Sequence, residues 1–194
     1  MNKARLEAFS DGVIAIIITI MVLELKVPHG DSISALSPLL PVFISYILSF
    51  VFIGIYWNNH HHLLQIANKI NGPILWANIH LLFWLSLVPF ATAWMGENEF
   101  SNLPVALYGI VLLMSGIAYF ILTVRLVAHH GKDSKIAKAI GKDIKGKISL
   151  GIYLTAIPFA FYNSWISFAA YIFVAIIWLM PEQRIERVLN PDIK

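Results

Sequence analysis

Few residues of this chain can do chemistry, and most of them sit in apolar surroundings. Arg5, Ser10, Asp11 and Thr19 share one hydrophobic stretch, and the seven histidines include the run His60, His61 and His62. A charge at the centre of a bilayer costs about 2.5 to 3.5 kcal/mol on insertion scales, so such groups face a protein interior or a water path. Consecutive histidines project to different sides of a helix, so one metal ion cannot take all three. His80 lies inside an apolar span and reads as a hydrogen-bonded packing residue or a proton relay. The chain has no cysteine, no paired carboxylates inside a span and no glycine-rich phosphate cradle. Disulfides and thiolate metal sites are thereby excluded, and no catalytic constellation, metal site or cofactor is expected.

The elements that position these groups must be membrane helices. Hydrophobic residues make up 58% of the chain and charged ones only 13%, against about 25% charged in a soluble domain. An all-α integral membrane protein is expected. The net charge of +3 is no nucleic-acid signal, because the basic residues gather in loops between apolar spans. Six transmembrane helices are expected at roughly 5–25, 38–62, 74–95, 104–127, 148–162 and 165–180, in one domain over residues 1–194. The first two connections carry the helix-stopping Pro28, Gly30, Gly72 and Pro73. A long polar segment from His129 to Lys147 holds six lysines and reads as an amphipathic linker at an anionic inner leaflet. Pro89 and Pro158 are expected to kink their spans. Trp57, Trp76, Trp94, Trp165 and Trp178 read as interface anchors.

A cytoplasmic N-terminus puts thirteen of the fourteen lysines and arginines on the inner side, leaving only Lys26 outside. Both termini are therefore expected in the cytoplasm. Glu24, Asp31, Glu97 and Glu99 fall on the opposite face, where they either raise cation concentration near an outer mouth or serve as ordinary solvated loop charges.

The first span is the unusual one. At 3.6 residues per turn, Gly12, Ile16, Thr19, Ile20 and Leu23 share one face, while Ser10 and Asp11 point elsewhere. A ring of branched aliphatic side chains around a symmetry axis resists wetting and closes a pore without a moving plug. An apolar stripe packed inside a helix bundle would show the same periodicity.

The run Arg5-x-x-x-Phe9-Ser10-Asp11, followed by Ile16-x-x-Thr19-x-x-x-Leu23, resembles the bacterial members of the transmembrane protein 175 family of potassium channels. Trp57-Asn-Asn-His60 with Leu63-Leu64 adds to the likeness, as do Asn78, Leu82-Phe83, Ser86-Leu87, Pro89-Phe90 and Thr92 in the third span. The specific motifs lie in the first three spans, and the last three match only in general character. The resemblance implies a potassium-permeable homotetramer, one six-helix repeat per chain, with the first helix lining a pore on a fourfold axis. It also implies a constriction at Ile16 and Leu23, pore lining by Thr19 and Ile20, and a buried polar network of Arg5, Ser10, Asp11 and His60 bracing the first helix. Arg5 and Asp11 lie about 120° apart around that helix, so a third group from another helix is needed to join them. Expected partners are other copies of the chain, membrane lipid and permeant potassium, with a bacterial plasma membrane as the location. The competing function is a proton-coupled secondary transporter or proton-conducting protein using Asp11 and His80, and a weaker one is a sensor subunit without transport.

Overall fold

The computed structural model describes residues 2–141 and 143–179, which contain helices and turns and no β-strand. Lys142 and the tail bearing Arg184, Arg187 and Lys194 lie outside the described residues, so the expected inner placement of the tail does too. Among the described residues eight α-helices form, in the order α1 Lys3–Leu23, α2 Leu40–Ile66, α3 Gly72–Ser86, α4 Val88–Glu97, α5 Asn102–His130, α6 Lys135–Ile140, α7 Ile144–Phe159 and α8 Ser164–Leu179. A 3-10 turn over Ile33–Leu39 leads into α2.

Local chemistry sets most helix ends. The Asn2 side chain accepts from the Ala4 amide at 3.0 Å, Asn71 Oδ1 from the Ile74 amide at 3.1 Å, and Ser134 Oγ from the Ala137 amide at 3.2 Å. Each satisfies an N–H that the first helical turn leaves without an intrahelical partner. Pro41, Pro73 and Pro89 sit in the first turns of α2, α3 and α4, where a missing N–H costs nothing. The third expected span is thus two helices that part at Leu87, just ahead of Pro89. Pro158 falls in the last turn of α7, not in mid-span. Gly131, at φ 91°, ends α5. His129 and His130, expected to open a loop, therefore form the last turn of that helix.

Among the described residues four helical stretches are long and apolar enough to cross a bilayer, namely Lys3–Leu23, Ile33–Ile66, Gly72–Glu97 and Asn102–His130. Helix α7 has 16 residues, which at ~1.5 Å rise is about 24 Å, short of the ~30 Å hydrocarbon layer, and the described part of α8 has 16. The lysine-rich linker is built differently from a surface helix, since α6 buries Ile136 and Ala139 in the protein core.

Helix α5 is the central post, packed against α3, α4, α6, α7 and α8, while α1 rests at one side on α2, α3 and α4. Lys3 Nζ donates to the Gln65 carbonyl at 3.1 Å, placing the start of α1 beside the end of α2. At the opposite end Lys26 and Glu97 pair at 2.7 Å, so the one cation outside the inner set is joined to a carboxylate. The α4–α5 reversal passes through left-handed Glu99 and Phe100, a conformation costing about 1–2 kcal/mol per residue. Burial of the Phe100 ring, 4.6 Å from Phe168 and 5.0 Å from Trp165 by centroid, offsets that cost.

Candidate functional site: the first helix and its bracing

The two faces of α1 divide cleanly. Leu6, Ser10, Ile14, Ile17 and Met21 are buried, at spacings of three and four, against the neighbouring helices. The other face carries Gly12, Ile16, Thr19, Ile20 and Leu23, all exposed on the protomer. Ile16 is 58% exposed and Leu23 79%, an arrangement that costs apolar hydration unless lipid or another chain covers it. Thr19 Oγ1 donates to the Ile16 carbonyl at 2.8 Å, so its hydroxyl is held to its own helix with its acceptor lone pairs facing outward. Beside this stripe Ile16 and Ile20 of α1, Ser86 of α3 and Pro89 and Phe90 of α4 line a groove of about 460 Å³.

The buried face of α1 is held by a polar chain. Ser10 Oγ donates to the Leu6 carbonyl at 2.9 Å, which leaves the oxygen to accept from Asn78 Nδ2, also at 2.9 Å. With that nitrogen assigned, Asn78 Oδ1 must accept, and His60 Nε2–H donates to it at 2.7 Å. All three residues are at most 1% exposed. A satisfied network in so dry a place fixes the rotation of α1 against α2 and α3, because any slip leaves buried polar atoms unpaired.

A second contact lies nearer the surface. Trp57 Nε1 donates to Asp11 Oδ1 at 3.0 Å, and His61 stacks on Trp57 at 5.7 Å and 19° between planes. The structure therefore sorts the expected network into two parts. Ser10 and His60 meet through Asn78, and Asp11 meets Trp57. Arg5 joins neither, being exposed and without a hydrogen bond or ion pair among the described residues. Arg5 is exposed, whereas His60 is buried and turned to Asn78. Asn78 is the linking residue that the spacing within one helix could not reveal. Its signal was a lone amide in the middle of an apolar span, which demands a buried partner. Trp57, read as an interface anchor, is a hydrogen-bond donor, and Trp178 likewise donates to Ser149 Oγ at 2.8 Å.

Elsewhere, His80 Nε2 accepts from Trp84 Nε1 at 3.0 Å within α3. A separate hydroxyl cluster joins Ser49 to Thr92 at 2.6 Å and to Tyr108 at 2.9 Å between α2, α4 and α5. Among the described residues no group of three or more His, Asp or Glu side chains is placed to hold a metal. Just past the C-terminal end of α1 the hydrogen-bonded Glu97 carboxylate, with its charge, holds the exposed Lys26 ammonium above its ordinary value.

Fold and site together define a multi-pass helical membrane protein in which one helix is braced from behind and bare in front. A family profile, "Endosomal/lysosomal potassium channel TMEM175", matches residues 5–89. A Chryseobacterium sp. (strain P1-3) protein named as a potassium channel is 56% identical over 192 residues, covering 99% of this chain and 100% of the relative. The fold matches the crystal structure of a Chamaesiphon minutus protein, described as a lysosomal potassium-selective channel TMEM175 homolog, with a TM-score of 0.80 and 30% identity over 93% of this chain and 97% of that one. Human TMEM175, named an endosomal/lysosomal proton channel, is 33% identical over 47% of this chain and 20% of its own length. The chain belongs to the TMEM175 family, and that family consists of channels, not enzymes.

Proposed function

We propose that the chain is a potassium-permeable channel of a bacterial plasma membrane, assembled as a homotetramer with four copies of α1 around a fourfold axis. Each chain acts as one domain over residues 1–194 with six membrane crossings and both termini cytoplasmic. The pair α7 and α8 supplies the last two crossings as a short hairpin. Rings of Ile16 and Leu23 form the hydrophobic constriction, Thr19 and Ile20 line the path between them, and potassium passes without a bound cofactor. One observation carries this reading: the polar network and the apolar core hold α1 so that Ile16, Thr19, Ile20 and Leu23 all face away from their own protomer. The names of the bacterial relatives supply the ion.

Mechanistically, a narrow aliphatic ring excludes a continuous water column, so conduction requires the ring to widen or the ion to shed part of its hydration. The Thr19 hydroxyls and the carbonyls one turn below offer oxygen to an ion in that condition. Asn78 and the Ser10–His60 pair act as a brace that keeps the aliphatic ring pointed inward.

Reconstitution into liposomes under a potassium gradient tests the proposal. Purified protein should release potassium passively, and Ile16→Asn should increase the flux and weaken discrimination against sodium, because a polar ring stays wet. No flux across several lipid compositions defeats the channel reading. Saturable flux that needs a proton gradient would favour the coupled carrier using Asp11 and His80.

A further inference from the structure

The end of α5 nearest the start of α1 carries two adjacent histidines whose ring nitrogens receive hydrogen bonds from the α2–α3 loop. His130 Nδ1 lies 2.9 Å from the Leu126 carbonyl, which can only accept, so that nitrogen bears the proton. Its Nε2 is then a bare lone pair, and the backbone amides of Asn68 and Lys69 both donate to it, at 3.1 and 3.3 Å. His129 is held in the same sense. Asn71 Oδ1 is committed to the Ile74 amide, so Asn71 Nδ2 faces His129 and donates to Nδ1 at 3.1 Å. Three donors of one loop thus converge on two imidazole lone pairs, and both rings must be neutral to receive them.

From this geometry we infer that His129 and His130 form a proton-binding site that latches the α2–α3 loop to α5 and releases it on acidification. A proton on His130 Nε2 turns the acceptor into a donor facing two backbone N–H groups, and those contacts become repulsive. A proton on His129 Nδ1 does the same to Asn71, whose side chain also caps α3. The two rings lie 5.3 Å apart. Solvent reaches the site, since His129 is exposed and His130 half-buried.

The charged and titratable groups on the surrounding elements are Lys69 of the loop, Arg125 of α5, Lys132 and Asp133 of the turn beyond it, Lys135 and Lys138 of α6, Asp143, Lys145 and Lys147 at the start of α7, and Lys3, Arg5 and Glu7 at the start of α1. The nearby helices add His60, His61 and His62 of α2 and His80 of α3. No ion pair to either imidazole forms among the described residues. The loop joins the helix bearing His60 to the helix bearing Asn78. Its release therefore loosens the two elements that brace α1. Only this last step rests on the channel reading above.

The test is hydrogen exchange of the loop amides in the purified full-length protein, followed from about pH 8 to about pH 5, the range over which imidazoles change charge. Rates are expressed as protection factors, which removes the intrinsic pH dependence of exchange. Wild type should lose protection at 68 and 69 by about tenfold on acidification, the equivalent of one net hydrogen bond. His130→Gln places an uncharged acceptor oxygen near the Nε2 position and should keep that protection at both pH values, whereas His130→Ala should lack it at both. His129→Asn makes the corresponding replacement at Nδ1. Unchanged protection in wild type, or equal loss in wild type and His130→Gln, overturns the latch. In liposomes, acid on the histidine side should lower potassium flux in wild type and leave the His129→Asn/His130→Gln double variant unaffected; a decrease of equal size in both overturns the coupling to α1. Absence of flux at every pH defeats the channel reading instead, and exchange still decides the latch.

Discussion

Helices α1 and α5 are both apolar enough to cross a membrane, yet 28% of an 18-residue apolar stretch of α1 is buried, against 50% for α5. The difference lies in what surrounds them. Helix α5 meets neighbours on several sides, and Tyr108, Leu112, Ala118, Leu122 and Leu126 have no measurable exposure. Helix α1 meets neighbours on one side only. Hydropathy therefore identifies a span without telling whether it is a post or a wall, because lipid and protein interiors are equally welcoming to leucine and isoleucine. What separates the two is the position of their polar atoms: α1 keeps Ser10 on the packed side and Thr19 on the bare one.

Adjacent residues on α1 break this contrast most directly. Ile17→Asn puts an amide into a dry core position and should cost about 4 kcal/mol, read as a lowered thermal unfolding midpoint in detergent. Ile16→Asn, one residue away, should stay within about 0.5 kcal/mol of wild type while raising potassium flux. Equal destabilisation by both would mean that α1 has no bare face.

Next in size is the brace. Asn78→Ala strands Ser10 and His60 without their shared partner and should cost about 3 kcal/mol, measured in the same unfolding assay, with α1 less protected in hydrogen exchange. A smaller loss is expected where α2 and α4 touch. A Cβ on Gly96 would meet Val42 Cα and Ser45 Oγ at 2.6 Å, so Gly96→Ala should cost roughly 1–3 kcal/mol through overpacking. Smallest is Lys26→Met at the exposed end beyond α1, whose effect should vanish in high salt. Because Glu97 raises the lysine above its ordinary 10.5, the pair contributes fully below that pH and is lost only as pH climbs past the raised value. Wild type and variant should therefore converge in strong alkali.

Much of this molecule was legible in the residues. The four long apolar stretches, the stopping power of Pro28, Gly72 and Pro73, and the division of α1 into two faces all follow from composition and the 3.6-residue period. Other features depend on partners from distant parts of the chain. The choice of His60 over its two neighbours was decided by Asn78 across the packing interface. Asp11 was claimed by Trp57, and Arg5 by no residue among those described. The linker lysines read as a surface segment, yet α6 folds Ile136 and Ala139 into the core, because two apolar residues three apart suffice for one short face.

The sequence by itself determined that this chain lives in a membrane, which stretches are long and apolar enough to span it, and which side chains of the first helix share a face, because those properties depend only on transfer cost and helical period. The tertiary structure alone decided which face of α1 is buried, which residue closes the bond between Ser10 and His60, and that two histidines of α5 hold a loop more than 55 residues away in sequence. Hydrogen-bond partners on separate helices are set by packing, and packing is a property of the whole chain.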